Sequence, residues 1–290
     1  MRRSKPRFRS RPVAAEAGVL TGLHPVREAL RARRRTLGVL RLEGSPRPEW
    51  EELRALARDA GVRVVEEPAS AVGSEATRAP WVRLEAGALP ETDLPALLSD
   101  ASMPPHTLVA LDGVEDPQNL GAIARVADAS GVAGLVLTHR HAPPLSEAVS
   151  RASAGAIEWL PVCRVPNLVR ALRALKEQGF WIVGADLEAE TDLFSAPDAW
   201  LRPPRVLVMG SEGAGLRRSV TEAIDHRVRI PMSGRVASLN VSTAAAVILF
   251  ELARRDRARE GRPGSGEPDP TDAMRGAARA TRPPFPSGTS

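Results

Sequence analysis

Between Thr107 and Arg254 the chain alternates short β-branched runs with amphipathic segments of helical period, and this alternation constrains the fold more than any other feature. Thr107–Leu111, Gly134–Leu137, Ile157–Val162, Phe180–Gly184, Val206–Met209 and Arg227–Ile230 read as strands. Leu120–Ala129, Ser146–Ala152, Asn167–Gln178 and Leu239–Arg254 read as helices. Strands that are apolar throughout need cover on both sides, so the expected class is α/β: a mostly parallel sheet with helices on both faces. Ligands of such sheets sit at the carboxyl ends of the strands.

A smaller α/β unit precedes it. Pro25–Arg35 reads as helical, Leu37–Leu42 as extended, Pro48–Ala60 as helical with Leu53, Leu56 and Ala57 on one stripe, and Val62–Glu66 as extended. The expected organisation is a basic arm over 1–17, a small domain over 18–88, a linker over 89–106, a large domain over 107–255 and a tail over 256–290. Four prolines break the linker, leaving one helical turn near Leu94–Leu98, and the arm and tail lack apolar periodicity and read as disordered.

The only cysteine, Cys163, excludes an intramolecular disulfide and leaves too little sulfur for a zinc ribbon or an iron–sulfur cluster. His139 and His141 lack nearby Cys or carboxylate clusters and read as surface loop, so no metal is expected. No run of apolar residues is long enough for a membrane span, and a cytoplasmic address is expected. The 40 Lys and Arg against 35 Asp and Glu leave a formal +5. That balance is compatible with a polyanionic partner. With aromatics at 3% and no Tyr, a reader that stacks successive bases on an aromatic sheet is disfavoured. Arg27, Arg31, Arg33, Arg34 and Arg35 gather at the end of one predicted helix, either as phosphate contacts for RNA or as a solvated face.

Three segments at predicted strand ends carry the chemistry. In Asp116–Arg125, Leu120, Ile123 and Ala127 share a helical face, and Arg125 lies about 140° round from Leu120, facing a groove, a partner or water. Asn119 is a ligand candidate or a helix cap. Val208–Leu216 holds three glycines in six positions. It lacks the Gly-Lys-Ser/Thr of a phosphate loop, and its glycine spacing misses the dinucleotide fingerprint, which disfavours a nicotinamide enzyme. Glu212 within it suits a cationic or donor-bearing ligand rather than a phosphate. In Ile230–Thr243, Ser238, Asn240 and Ser242 stand at the mouth of an Ala-rich helix, as caps or as ligand contacts.

Together, Asn119–Arg125, Val208–Leu216 and Ile230–Ser242 resemble, in order and spacing, the three motifs of the SpoU (TrmH) family of RNA 2′-O-ribose methyltransferases. Thr21–Leu30 resembles the start of that family's amino-terminal substrate-binding domain, which is L30-like. The resemblance implies a trefoil-knotted α/β domain, S-adenosyl-L-methionine as cofactor and a homodimer with the site at the subunit interface. It implies that Gly210, Ile230 and Leu239, with Met209, Met232 and Ser242, form the cofactor site, and that Asn119, Arg125, Glu212 and Asn240 form the catalytic cluster. The implied substrate is ribosomal RNA, with transfer RNA or a non-catalytic RNA-binding role as alternatives. Ser74–Leu84 departs from the His-Gln-Gly segment common in the family, which bears on RNA specificity.

Overall fold

A computed structural model describes residues 18–68, 81–99 and 107–260. The predicted arm, the tail beyond Glu260 and most of the Ser74–Leu84 segment lie outside the described residues. The small unit runs β1 (Gly18–Thr21), α1 (Leu23–Ala32), β2 (Leu37–Glu43), α2 (Pro48–Asp59), β3 (Arg63–Glu67) and β4 (Val82–Ala86). Its sheet order is β1-β4-β2-β3. Strands β2 and β3 pair in parallel across the α2 crossover, while β4 is antiparallel to β1 and β2. Leu20, Leu40, Leu42 and Leu84 meet Val26, Leu30, Trp50 and Leu53 of the helices in one core. Strands β1 and β4 are additions to the elements expected from the sequence.

The large unit contains β5 (Thr107–Asp112), α4 (Pro117–Ala129), β6 (Gly134–Thr138), α5 (Glu147–Ala152), β7 (Val162–Val165) and α6 (Leu168–Glu177). It continues with β8 (Trp181–Ala185), β9 (Arg205–Gly210), α7 (Arg218–Thr221), β10 (His226–Val228) and α8 (Val241–Glu260). The six strands are ordered β10-β8-β9-β5-β6-β7, and every neighbouring pair is parallel. Alternate residues of each strand serve opposite faces: Val109, Leu111 and Leu207 pack under α4 and α8, whereas Leu108, Ala110 and Val206 pack under α6. From β5 the chain moves outward through β6 and β7, whereas from β9 it crosses β8 to β10, so the order reverses between β5 and β9. That boundary is the crevice where open parallel sheets place their ligands.

Several expectations need correction. Ile157–Val162 is not a strand: Gly155, at φ 87°, leads into a 3₁₀ turn over Ala156–Glu158, and β7 begins only after Pro161. The last strand is His226–Val228 rather than Arg227–Ile230. The linker is docked: Leu89 enters the large core, the Thr92 amide donates to the Val162 carbonyl at 2.8 Å, and α3 (Leu94–Ser99) buries Leu97. Helix α8 runs past the expected boundary at 255 because its last turns are pinned. Arg255, 6% exposed, donates to the carbonyls of Leu193, Phe194 and Ala196 and pairs with Asp198 and Glu251, and Asp256 pairs with the buried Arg205.

Part of the arginine cluster at the end of α1 is engaged within the protein. Arg33 closes the helix in the left-handed region at φ 51°. Arg27 pairs with Glu52, and Arg31 bridges Glu28 and Glu52. Arg34 donates to the carbonyls of Glu158 and Leu160, and Arg35 forks onto both carboxylate oxygens of Glu158 at 2.9 and 2.7 Å. With its side chain 5% exposed against a fully buried Glu158, Arg35 joins the two domains and is closed to RNA. Glu28 receives the Trp159 indole N–H at 3.0 Å, and a Cβ on Gly155 would come within 2.7 Å of the Glu28 Cβ, so the domains meet closely here. Among the described residues no helix is long and apolar enough to cross a membrane.

Removing one partner of a buried ion pair strands the other charge. Arg35→Ala should therefore lower unfolding free energy by about 3–5 kcal/mol, and an apolar pair at Arg35 and Glu158 should recover much of the loss in urea titrations. Burial already pushes the Glu158 carboxyl above its ordinary 4.5. A carboxyl with a raised folded-state pKa destabilises when ionised, so the Arg35→Ala deficit should shrink as pH falls through the carboxylate range. A deficit independent of pH would contradict this account.

Candidate active site

The carboxyl ends of β5 and β9 are held together before any functional side chain is placed. Asp112 and Gly210 stand opposite each other as the last pair of the β5–β9 ladder. After Gly210 the loop folds back on itself, with Ser211 and Gly215 exchanging backbone hydrogen bonds at 3.1 and 3.0 Å. A Cβ on Gly210 would lie 2.3 Å from the Gly215 carbonyl carbon and 2.5 Å from the Leu216 nitrogen. Glycine at 210 is therefore required by the loop's own backbone. The loop exit is tied down by the buried Asp112, whose carboxylate accepts from the Arg217 backbone N–H at 2.9 Å and from its Nε at 2.7 Å.

Helix α4 begins with Asp116, whose side chain accepts the Gln118 amide at 2.9 Å, followed by Pro117 at the first helical position. Asp116 therefore does the capping, and Asn119 is free to point into the crevice, where it is 9% exposed. Its Nδ2 donates to Glu212 Oε2 at 3.2 Å, and its Oδ1 accepts from Asn240 Nδ2 at 2.9 Å. Asn240 also donates to Glu212 Oε1 at 2.9 Å, while its own Oδ1 accepts from the Ser242 backbone N–H at 2.9 Å and the Ser242 hydroxyl at 2.6 Å. Three chain segments far apart in sequence thus converge on one carboxylate. Each Glu212 oxygen takes one amide donor and keeps lone-pair capacity for another.

Beside this cluster a cavity of about 800 Å³ opens over the carboxyl ends of β8, β9 and β10. Met209, Gly210, Ile230, Met232 and Leu239 line it, as does Glu212. Ser242 does not; it acts instead as the residue that fixes the Asn240 amide. The apolar wall, the inward-opening glycine loop and carboxylates at the rim match a ligand with a flat apolar part and donor groups. Arg125 is not brought to the cluster. It is exposed on α4, six residues beyond Asn119 and therefore about 120° away around the helix, and it pairs with no other described residue.

Two features were missed in the sequence. Asp112 carried a signal, a lone acid ending an apolar strand just before glycine, but its partner Arg217 lies 105 residues later and nothing local links them. The cavity wall contributed by Ala185, Val241, Ala244 and Ile248 is visible only once β8, β9 and α8 are packed.

Comparison with known proteins accords with this geometry. Residues 106–250 match the model of the SpoU rRNA Methylase family. The 23S rRNA (guanosine-2′-O-)-methyltransferase RlmB of Vibrio parahaemolyticus is 45% identical over 166 residues, 57% of this chain and 65% of that protein. With the first relatives of this kind, the chain aligns over about two thirds of their length or less. The RlmB of Ralstonia nicotianae aligns over 83% of this chain and 96% of its own length at 38% identity. Among solved structures, the SpoU methyltransferase AviRb from Streptomyces viridochromogenes in complex with AdoMet superposes with a TM-score of 0.68 at 26% identity, covering 83% of this chain and 90% of that one. A motif set that converges on one carboxylate, a match over most of the large domain and a relative aligned nearly end to end lead to one conclusion: this chain belongs to the SpoU rRNA methylase family.

Proposed function

We propose that the protein is an S-adenosyl-L-methionine-dependent methyltransferase that modifies a ribose 2′-hydroxyl in RNA, with 23S ribosomal RNA as its substrate. The observation that carries this reading is the convergence of Asn119, Glu212 and Asn240 at the β5–β9 crevice, directly beside the cavity. Gly210, Met209, Ile230, Met232 and Leu239 would hold the cofactor, which when bound supplies an electrophilic methyl group on a positively charged sulfur. A fixed carboxylate at the mouth favours a cationic ligand over an anionic one. The two asparagines keep Glu212 from swinging away, so the electrostatic environment is set before substrate arrives. Ribosomal RNA is preferred because the relative aligned over both domains is an RlmB protein.

Arg125 would then act on the RNA, holding a phosphate beside the target ribose with its planar fork and favouring loss of the 2′-proton. Its distance around α4 from Asn119 supports a homodimer in which Arg125 completes the site of the second subunit. The half-exposed Phe250 on α8, which packs against α4, supports burial of this helix pair in such a dimer. The family's trefoil knot is supported by chain path: β10 lies at the sheet edge, yet α8 packs on α4 and β9 in its middle, so residues 229–240 cross the strand ends between. The small domain, four strands covered by α1 and α2, is compatible with the L30-like fold and a role in RNA choice. A cytoplasmic location accompanies a ribosomal substrate.

Labelled cofactor incubated with total RNA should mark 23S ribosomal RNA, and ribose-methylation mapping should find one site lost in a strain lacking the protein. Labelling confined to transfer RNA would replace the substrate, and none in either would overturn the reading. Arg125→Ala should reduce single-turnover rate by at least about two orders of magnitude, on the order of 3 kcal/mol, with cofactor affinity unchanged and little rescue by Arg125→Lys. Wild-type turnover in Arg125→Ala would remove its catalytic role. Gly210→Ala, which forces a methyl group onto the Gly215 backbone, should weaken cofactor binding by at least about tenfold in calorimetry while circular dichroism stays native. Native affinity would show that the loop does not shape the cavity.

A further inference from the structure

The cavity over β8, β9 and β10 is lined by seven charged side chains, and six of them are already engaged. Asp186 receives Arg227 at 2.9 Å, Arg229 is held by Asp192 at 2.6 Å, Arg218 pairs with Glu222 at 3.2 Å, and Glu212 is held by the two asparagines. The seventh is Glu188. Among the described residues its carboxylate has no hydrogen bond and no ion pair, and the residue is exposed at the cavity rim.

The backbone that carries Glu188 is nonetheless well fixed. The Asp186 amide donates to the Val228 carbonyl at 3.0 Å, tying the start of the turn to β10. The Glu188 amide donates to Asp186 Oδ1 at 3.0 Å, and Ala189, 1% exposed, anchors the exit in the core. A carboxylate presented from a rigid turn at the end of a parallel strand, with its acceptor capacity unused, suits a ligand that brings paired donors.

We propose that Glu188 accepts the two ribose hydroxyls of the adenosyl cofactor and so determines recognition of its sugar. This rests on the cofactor assignment made above. Three donor groups of such a cofactor could meet a carboxylate: the ribose diol, the adenine amino group and the α-ammonium of the methionyl part, and only the diol brings donors on two separate atoms. The guanidinium groups of Arg227 and Arg229 are each matched by a carboxylate, Asp186 and Asp192, so charge does not decide between the candidates. Geometry does: two neighbouring hydroxyls match the two oxygens of one carboxylate, and a carboxylate at the end of a parallel strand is how dinucleotide-binding sheets hold a ribose hydroxyl. The bond would be charge-assisted and would therefore discriminate strongly against a missing hydroxyl.

The test is a ligand–residue cycle in calorimetry on the full chain, with S-adenosylhomocysteine, its 2′-deoxy analogue, and 5′-methylthioadenosine, which lacks the amino-acid part. Wild type should lose about tenfold in affinity on removal of the 2′-hydroxyl. Glu188→Ala should bind S-adenosylhomocysteine about tenfold more weakly and show no further loss with the deoxy analogue. Glu188→Ala should weaken 5′-methylthioadenosine by the same factor, because that compound keeps the diol. Glu188→Gln, which retains an acceptor oxygen, should fall between wild type and Glu188→Ala. Undiminished 5′-methylthioadenosine binding by Glu188→Ala would place the carboxylate at the amino-acid end and overturn the proposal, as would full retention of deoxy discrimination in Glu188→Ala. Failure of the wild-type protein to bind S-adenosylhomocysteine at all would instead overturn the cofactor assignment on which the proposal rests.

Discussion

Gly210 is the point at which the sheet stops and the site begins, and the space for a side chain there is already filled by the returning backbone of Gly215 and Leu216. That close approach turns the loop back over the end of β9 instead of letting it run into solvent. Asp112, opposite Gly210 in the ladder, then holds the loop exit through Arg217. With entry and exit both fixed, Glu212 has one place to be, between the amides of Asn119 and Asn240. The polar cluster is thus a consequence of strand pairing and one glycine, and the side-chain contacts finish what the backbone has set.

How much of this was legible in the sequence depends on the range of the interaction. The apolar runs and helical stripes of the large domain announced the parallel sheet, because the inner strands β5, β6 and β9 are covered on both faces and are largely apolar. The motif residues were legible as candidates, and Asn119, Glu212 and Asn240 do converge. Ser242 and Arg35 were readable only as polar groups at helix ends; their partners, Asn240 in one case and Glu158 in the other, are chosen by packing. Strand β4, in the middle of its sheet, alternates as Val-Arg-Leu-Glu-Ala with every second residue buried, so its period was legible although the strand is short.

The contact between domains has a polar centre. It is built around Arg35 and Glu158, with Arg34, Glu28 and Trp159 beside them. Such a polar joint is geometrically selective, since forked hydrogen bonds tolerate little sliding. It abuts α5, which α4 presses through Gly121, where a Cβ would lie 2.4 Å from that of Ala152. The small domain therefore meets the helix that carries Asn119 and Arg125 through rigid neighbours.

The anchoring of α8 bears on where the chain can be cut or extended. Arg205 lies 1% exposed beneath the last turns, with Asp256 as its counter-ion and its Nε already without a partner. Trimming the protein at 255 would leave a guanidinium sealed in the interior with its charge unbalanced. A shortened form or a carboxyl-terminal fusion has to keep Asp256 and Arg259 and join beyond Glu260. The true edge of the large domain is drawn by electrostatic neutrality at a buried arginine, several residues past the point where the apolar stripe fades.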